Sequence, residues 1–213
     1  NKGAGKTVTA TGLVLSGTKA GNYTLTSIAN TTADITAKDI VGVFTADNKA
    51  YDGNTTASIL TRTLTGVLTA DAADVSLTGG TATFADANIG TGKTVTSAGM
   101  TLTGSKSANY NLTGVATTTA NIGVRNITGL FTASNKVYDG NTTATVLTRT
   151  LTGGLTADVA DVNLTGGTAA FADASVGTAK VVTAAGMTIT GAKAANYSLN
   201  SVATATASIT VKA

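Results

Sequence analysis

The stretch Tyr51-Asp52-Gly53-Asn54-Thr55-Thr56-Ala57 returns letter for letter as Tyr138-Asp139-Gly140-Asn141-Thr142-Thr143-Ala144. The offset (138 − 51) is 87 residues, and nearly all of the chain obeys it. Self-similarity at a fixed period marks a folded module copied in tandem. Residues 38–124 make one copy and residues 125–213 a second. Residues 1–37 align with the back of a copy: Gly5-Lys6-Thr7-Val8 matches Gly92-Lys93-Thr94-Val95, and Asn22-Tyr23 matches Asn109-Tyr110. They read as the C-terminal part of a truncated repeat, cut from a longer array, so Asn1 is not expected to be a natural start.

Within a copy the local pattern is alternation. Lys93-Thr94-Val95-Thr96 and Met100-Thr101-Leu102-Thr103 set threonine against an apolar residue. Period two with β-branched side chains reads as half-buried strands, apolar members inward and threonines outward. The first copy predicts strands near residues 41–45, 57–64, 75–77, 81–84, 93–96, 100–103, 110–112 and 117–122. Turns are expected at Asp52–Asn54, Asp71–Asp74, Gly79-Gly80, Asp86–Gly92, Ala98-Gly99 and Gly104–Asn109, where Gly and Asx cluster. Many short strands with regular turn signals predict an all-β fold of tandem immunoglobulin-like β-sandwich repeats of about 87 residues. A β-grasp-like sheet or an elongated continuous sheet is the alternative.

A period has no phase. Residues 1–37 are therefore open to three readings: an incomplete sheet, a segment packed on the next copy, or a structural boundary shifted from the sequence motif. No Pro-rich or Ser-rich spacer separates the copies, which predicts stiff connections.

Aromatic residues make up only 4% of the chain, so nearly all are expected in the core. Phe44, Tyr51, Phe84 and Tyr110 recur as Phe131, Tyr138, Phe171 and Tyr197, and Tyr23 completes the set. Tyr51 and Tyr138 are read as core anchors, each followed by a turn through Asp52-Gly53 or Asp139-Gly140. The segment Ser107-Ala108-Asn109-Tyr110-Asn111-Leu112 resembles the tyrosine corner of immunoglobulin-like sandwiches, in which the hydroxyl bonds back to upstream backbone. Leu112 would then point inward.

Catalysis finds little to work with. The chain has no Cys and no His, which removes the usual ligands of zinc, copper and haem. All its acids are Asp, and a paired-carboxylate mechanism repeated in tandem without His, Glu, Cys or Trp is not expected. The prediction is no enzyme and no cofactor. Asp71, Asp74, Asp86, Asp158, Asp161 and Asp173 are weak calcium candidates, because they lie in loops but lack the density of a calcium loop. Lys49 and Lys136 are the lysines to test for an isopeptide bond to asparagine. Gly90-Thr91-Gly92-Lys93-Thr94 lacks phosphate-loop spacing. The net charge of +3 is dispersed, so nucleic acid is not an expected partner, and no membrane span is visible.

The elements Lys49-x-Tyr51-Asp52-Gly53-Asn54-Thr55-Thr56-Ala57, Phe84-Ala85-Asp86-Ala87 and Ala108-Asn109-Tyr110-x-Leu112 recur in order, running from Lys49 to Ile122 and again from Lys136 to Ile209. This unit resembles the YDG-type repeat of large bacterial surface adhesins and filamentous-haemagglutinin-like exoproteins. The resemblance implies an extracellular or secreted β-rich array that projects an adhesin from a bacterial surface, in adhesion or biofilm formation. It carries over no catalytic residues. The expected function is a repetitive stalk or spacer, whose partners are neighbouring repeats and a surface glycan or protein. The alternative is that each repeat is itself a carbohydrate- or protein-binding module.

Overall fold

The structure is a computed structural model that describes residues 1–213, and every regular element in it is a strand or a three-residue 3-10 turn. In chain order the strands are β1 (Gly3–Val8), β2 (Thr31–Ile35), β3 (Lys38–Ala46), β4 (Lys49–Ala50), β5 (Thr56–Ala57), β6 (Ile59–Thr65), β7 (Ser76–Phe84), β8 (Gly90–Thr103), β9 (Tyr110–Val115) and β10 (Thr118–Gly123). The second copy supplies β11 (Arg125–Ala133), β12 (Lys136–Val137), β13 (Thr143–Ala144), β14 (Val146–Thr152), β15 (Asn163–Phe171), β16 (Gly177–Thr190), β17 (Tyr197–Val202) and β18 (Ala205–Thr210). The protein is all-β, as the alternation of threonine with apolar residues predicts. No helix is long and apolar enough to cross a membrane.

The second copy folds as two facing sheets. One has the order β12-β18-β16-β15-β13 and the other β14-β11-β17. Phe131 on β11 packs against Leu164, Phe171, Val182, Met187 and Ile209 of the five-stranded sheet. Val182 and Ile209 are sealed from solvent. Each such side chain contributes about 1.5–3 kcal/mol by leaving water. Two of the pairings are parallel, β11 with β17 and β12 with β18. Alternation in a sequence reports which face of a strand is buried, and it is silent on the direction of the neighbouring strand.

Two sets of expected turns are instead inside strands. Gly79-Gly80 lies in β7 and Ala98-Gly99 in β8, and the second copy repeats this at Gly166-Gly167 and Ala185-Gly186. There β15 and β16 stay in one register from Asn163 opposite Thr190 to Phe171 opposite Val182. The glycines relieve a close crossing. A Cβ on Gly167 would stand 2.5 Å from the Met187 Cγ, at a backbone φ of +77°. Glycine in a strand marks close approach as readily as a turn. Residues 57–64, expected as one strand, break at Ser58 into β5 and β6. The second copy shows why: β13 joins the five-stranded sheet and β14 the three-stranded one.

Contacts divide the chain into two compact units. The first takes Asn1–Thr45, Ile59–Thr81 and Ser97–Thr117, and the second takes Ala46–Ser58, Ala82–Thr96 and Thr118–Ala213. In the first unit β3 pairs with β6 and, in parallel, with β9, over a small core of Ile40, Val75 and Tyr110. In it β1 and β2 pair antiparallel, and no residue from 1 to 37 is buried. The second unit adds to the second copy the loop that carries Tyr51, together with Ala82–Thr96 and β10. The Tyr51 motif is therefore grouped with residues that follow it by a whole period.

Candidate functional site

The motif loop is built by its own polar side chains. The Asp52 carboxylate accepts from the Asn54 backbone N–H at 3.1 Å, and the Asn54 side-chain oxygen accepts from Thr56 N–H at 2.9 Å. Gly53 turns the corner with φ +77°. Lys49 closes the loop, donating to Asp52 at 2.7 Å and to the Asn54 carbonyl at 2.7 Å, while its ammonium lies 5.5 Å from the Phe84 ring centre. Its distance to the Asn54 side-chain oxygen is 3.1 Å. Burial would raise the Asp52 carboxyl, but the Lys49 ammonium and the Asn54 N–H outweigh it and hold the group below its ordinary range. The second loop repeats this, with Lys136 donating to Asp139 at 2.7 Å and to the Asn141 carbonyl.

Those bonds face inward on the loop and leave the tyrosine pointing away. Tyr51 is 1% exposed, and its hydroxyl donates to the Asp158 Oδ2 at 2.8 Å. The same oxygen accepts from Tyr197 at 2.8 Å. The two rings meet edge to face with centres 5.4 Å apart. Tyr197 in turn accepts from the Leu155 backbone N–H at 3.2 Å, and Lys193 places its ammonium 3.7 Å from the other Asp158 oxygen. Asp158 ends the 3-10 turn Thr156–Asp158 and is itself buried.

A buried carboxylate is tolerated where donors satisfy it. Burial would raise the Asp158 carboxyl, yet the Tyr197 and Tyr51 hydroxyls and the Lys193 ammonium bring it below its usual value. The converse holds for the phenols. Burial, then the hydrogen bond to Asp158, pushes Tyr51 up. Burial, with the Asp158 bond and charge, pushes Tyr197 up to about 12. Both phenols stay neutral donors at ordinary pH. The arrangement is a lock between two tyrosines and one acid, and neither tyrosine is poised to lose its proton.

Next to the lock, Asn196 is buried. Its side-chain oxygen accepts from Ile89 N–H at 3.0 Å, and its amide donates to Asn88 at 3.1 Å. Gly53 completes the fit: a Cβ there would stand 3.0 Å from a Leu155 methyl. Tyr51, Gly53, Asn88 and Ile89 come from the first copy, and Leu155, Asp158, Lys193, Asn196 and Tyr197 from the second. Sequence reasoning placed Asp158 among calcium candidates and missed Leu155, Lys193 and Asn196. Contacts separated by more than a hundred residues leave no local signal.

The remaining sequence-selected residues lie as follows. Tyr110 donates to Asp71 at 2.7 Å and accepts from Leu68 N–H at 3.2 Å. This is a hydroxyl bonded to upstream backbone, but the backbone is 42 residues upstream. Asp74 accepts from the Ser105 hydroxyl. Asp86 pairs with Lys93 at 2.8 Å, and Asp173 with Lys180, whose ammonium and then the Ser175 N–H hold it down to about 2. The Asp161 carbonyl accepts from the Lys193 N–H. No three of these acids gather in one place. Two tyrosines expected in the core are outside it: Tyr138 is 44% exposed and Tyr23 72%.

A cleft of about 470 Å³ opens beside the lock in the second copy, lined by Arg149, Leu151, Leu155, Val159, Val162 and Tyr197 among others. The first copy has a smaller one of about 300 Å³, with Arg62, Leu64, Val67, Val75 and Leu77 on its walls.

No curated protein and no solved structure matches the chain. The YDG domain matches twice, over residues 36–120 and 124–207. Each match contains one Lys-x-Tyr-Asp-Gly-Asn loop and one Asp–Tyr pair, Asp71 with Tyr110 and Asp158 with Tyr197, and together they span most of the sequence. The chain belongs to the YDG domain family and carries two successive copies of that domain.

Proposed function

We propose that this chain is part of the repetitive stalk of a bacterial surface or secreted adhesin, in which its repeats project a distal binding region and transmit load. One observation supports the reading above others. Tyr51 of the first copy is fully buried against Tyr197 and Asp158 of the second. A side chain that a repeat spends on its successor, rather than on a ligand, is what a load-bearing array needs. Repeat arrays draw stability from nearest-neighbour interfaces in this manner. The bacterial, extracellular setting rests on the resemblance of the repeat to those of large exported surface proteins.

Single-molecule pulling tests it. A stalk gives repeated, evenly spaced unfolding events, each releasing roughly 300 Å of chain at ~3.4 Å per residue. Smooth extension without force peaks would remove the load-bearing role.

A second reading, that each copy binds a carbohydrate or protein, draws on the cleft that recurs in both copies. An array of glycans probed with the intact chain separates the two. Reproducible binding that is lost on changing Arg149 or Val159, with the fold intact, would favour the binding module.

A further inference from the structure

Each copy has two lysine clamps, and only one of them also holds a side-chain amide. Lys93 and Lys180 bind the carboxylates of Asp86 and Asp173, and no side-chain amide oxygen accepts from them. Lys49 donates to the Asp52 carboxylate at 2.7 Å and to the Asn54 side-chain oxygen at 3.1 Å. Lys136 repeats this with Asp139 at 2.7 Å and Asn141 at 3.0 Å. A carboxylate alone suffices for a clamp, as Lys93 shows. The motif loop brings together an amine, an acid and a primary amide, and it does so in both copies.

These three groups are the parts of an amide exchange. A lysine amine is a nucleophile once it has lost its proton. Asp52 lies within hydrogen-bond reach to take that proton. The Lys49 and Lys136 side chains are each only 17% exposed, and removal from water favours the neutral amine. Every protein hydrogen bond of the Asn54 side chain is made by its oxygen, which accepts from Lys49 and from the Thr56 N–H at 2.9 Å. The Thr56 N–H is thus placed to hold the oxyanion of a tetrahedral intermediate, and the NH2 group is left free to depart. Asn141 is held alike by Lys136 and by the Thr143 N–H at 3.0 Å. The carbon to be attacked is one carbonyl bond, ~1.2 Å, from the oxygen that the amine already touches. Rotation about the soft terminal torsion of asparagine turns its face to the amine.

We propose that Lys49 and Asn54, and likewise Lys136 and Asn141, join as isopeptide bonds, so that each motif loop is closed covalently. Asp52 takes a proton from the Lys49 ammonium, and the free amine attacks the Asn54 Cγ. Asp52 gives that proton to the Asn54 Nδ2 and takes one from the attacking nitrogen. The Nζ–Cγ bond has then formed, the Cγ–Nδ2 bond breaks, and the nitrogen leaves as ammonia, which carries off the spare proton as ammonium. No oxidant, reductant or co-reactant enters. The resting Lys49–Asp52 pair is ionic, but departure of ammonia is irreversible, so a sparsely populated neutral pair completes the reaction as the protein matures. The N–H of the new amide still donates to Asp52, and the loop keeps its shape. The inference goes beyond the stalk, which can be built with or without these bonds.

The mass of the intact, denatured chain tests it. Each bond removes one ammonia, so the wild type is expected about 34 Da below the mass of its sequence, ~17 Da for each loop. Asn54→Ala retains only the loss from the Lys136 loop. Asp52→Ala does the same, although its lysine and asparagine are both kept. Trypsin cuts the unfolded wild type after Lys93 and Lys180 and fails to cut after Lys49 and Lys136. A wild-type mass equal to that of the sequence overturns the proposal while leaving the pulling experiment to decide the stalk. A loss of ammonia with trypsin still cutting after Lys49 and Lys136 overturns it too, because the asparagine has then cyclised on its own backbone. An Asp52→Ala chain that keeps both losses overturns the role of Asp52. The second loop sits in the same molecule, so its bond reports that a first-loop variant has folded.

Discussion

Tyr51 and Tyr138 sit in the same seven letters, with the same lysine clamp and the same turn, and their environments are opposite. The first is 1% exposed and bonded to Asp158; the second is 44% exposed. Gly53 packs against Leu155, while a Cβ on Gly140 would meet nothing within 4 Å. The loop forms in both places because its bonds are local: Asp to the N–H two residues on, Lys to Asp three residues on. Burial of the tyrosine is not local. It depends on whether an Asp–Tyr pair from a following copy stands opposite. The motif is thus two devices in series, a self-sufficient turn and a tyrosine presented by it.

That contrast can be broken by substitution. Tyr51→Ala should destabilise the protein by about 3–5 kcal/mol, as expected for emptying an aromatic-sized buried site, while Tyr138→Ala stays within about 0.5 kcal/mol. Denaturant midpoints of the two variants check this. Equal losses would mean that the lock contributes nothing of its own. Asp158→Ala strands two phenols and should lower stability by about 2–3 kcal/mol, against about 1 kcal/mol for Asp71→Ala, which strands one. A reversed order would show that the second phenol adds nothing.

pH sharpens the comparison in both directions. Tyr197 has its folded pKa raised from 10.0 to about 12. Its neutral form is favoured by folding, so its contribution is full below pH ~10 and falls away as pH rises toward 12. Asp158 is depressed below 3.8, so its contribution is present above that value and is lost as pH falls through the folded pKa. Thermal melting between pH 10 and 12 should show a fall in midpoint that Tyr51→Phe reduces, by removing one donor from the coupled set. Last, Lys49→Ala and Lys136→Ala should have matched, smaller effects of about 1 kcal/mol, because the clamp is the same in both loops. Unequal losses would mean that the turn, too, depends on what lies opposite.

Much of this was legible in the letters. The strands follow from threonine alternating with Val, Leu, Ile and Met, and the motif turns follow from Asp-Gly-Asn. Phe44, Phe84, Phe131 and Phe171 are buried as sparse aromatics in a low-charge chain should be. The paired glycines misled, because a glycine demanded by a close strand crossing looks the same in sequence as one demanded by a turn. Gly167 against Met187 is the crossing, and its partner is 20 residues away (187 − 167). The acids misled for a related reason. Asp71 and Asp158 sit in loops, where a carboxylate reads as a turn cap or a cation ligand, yet their donors are phenols 39 and 107 residues distant.

Copy number, period, strand content and the loop around Tyr51 and Tyr138 are properties of the letters, since each arises from bonds within a few residues or from which face of a strand is apolar. The parallel pairings, the grouping of Tyr51 with the following copy and the different fates of two identical tyrosines arise from the fold. They depend on which distant segment stands opposite, and seven identical letters do not say which segment that is.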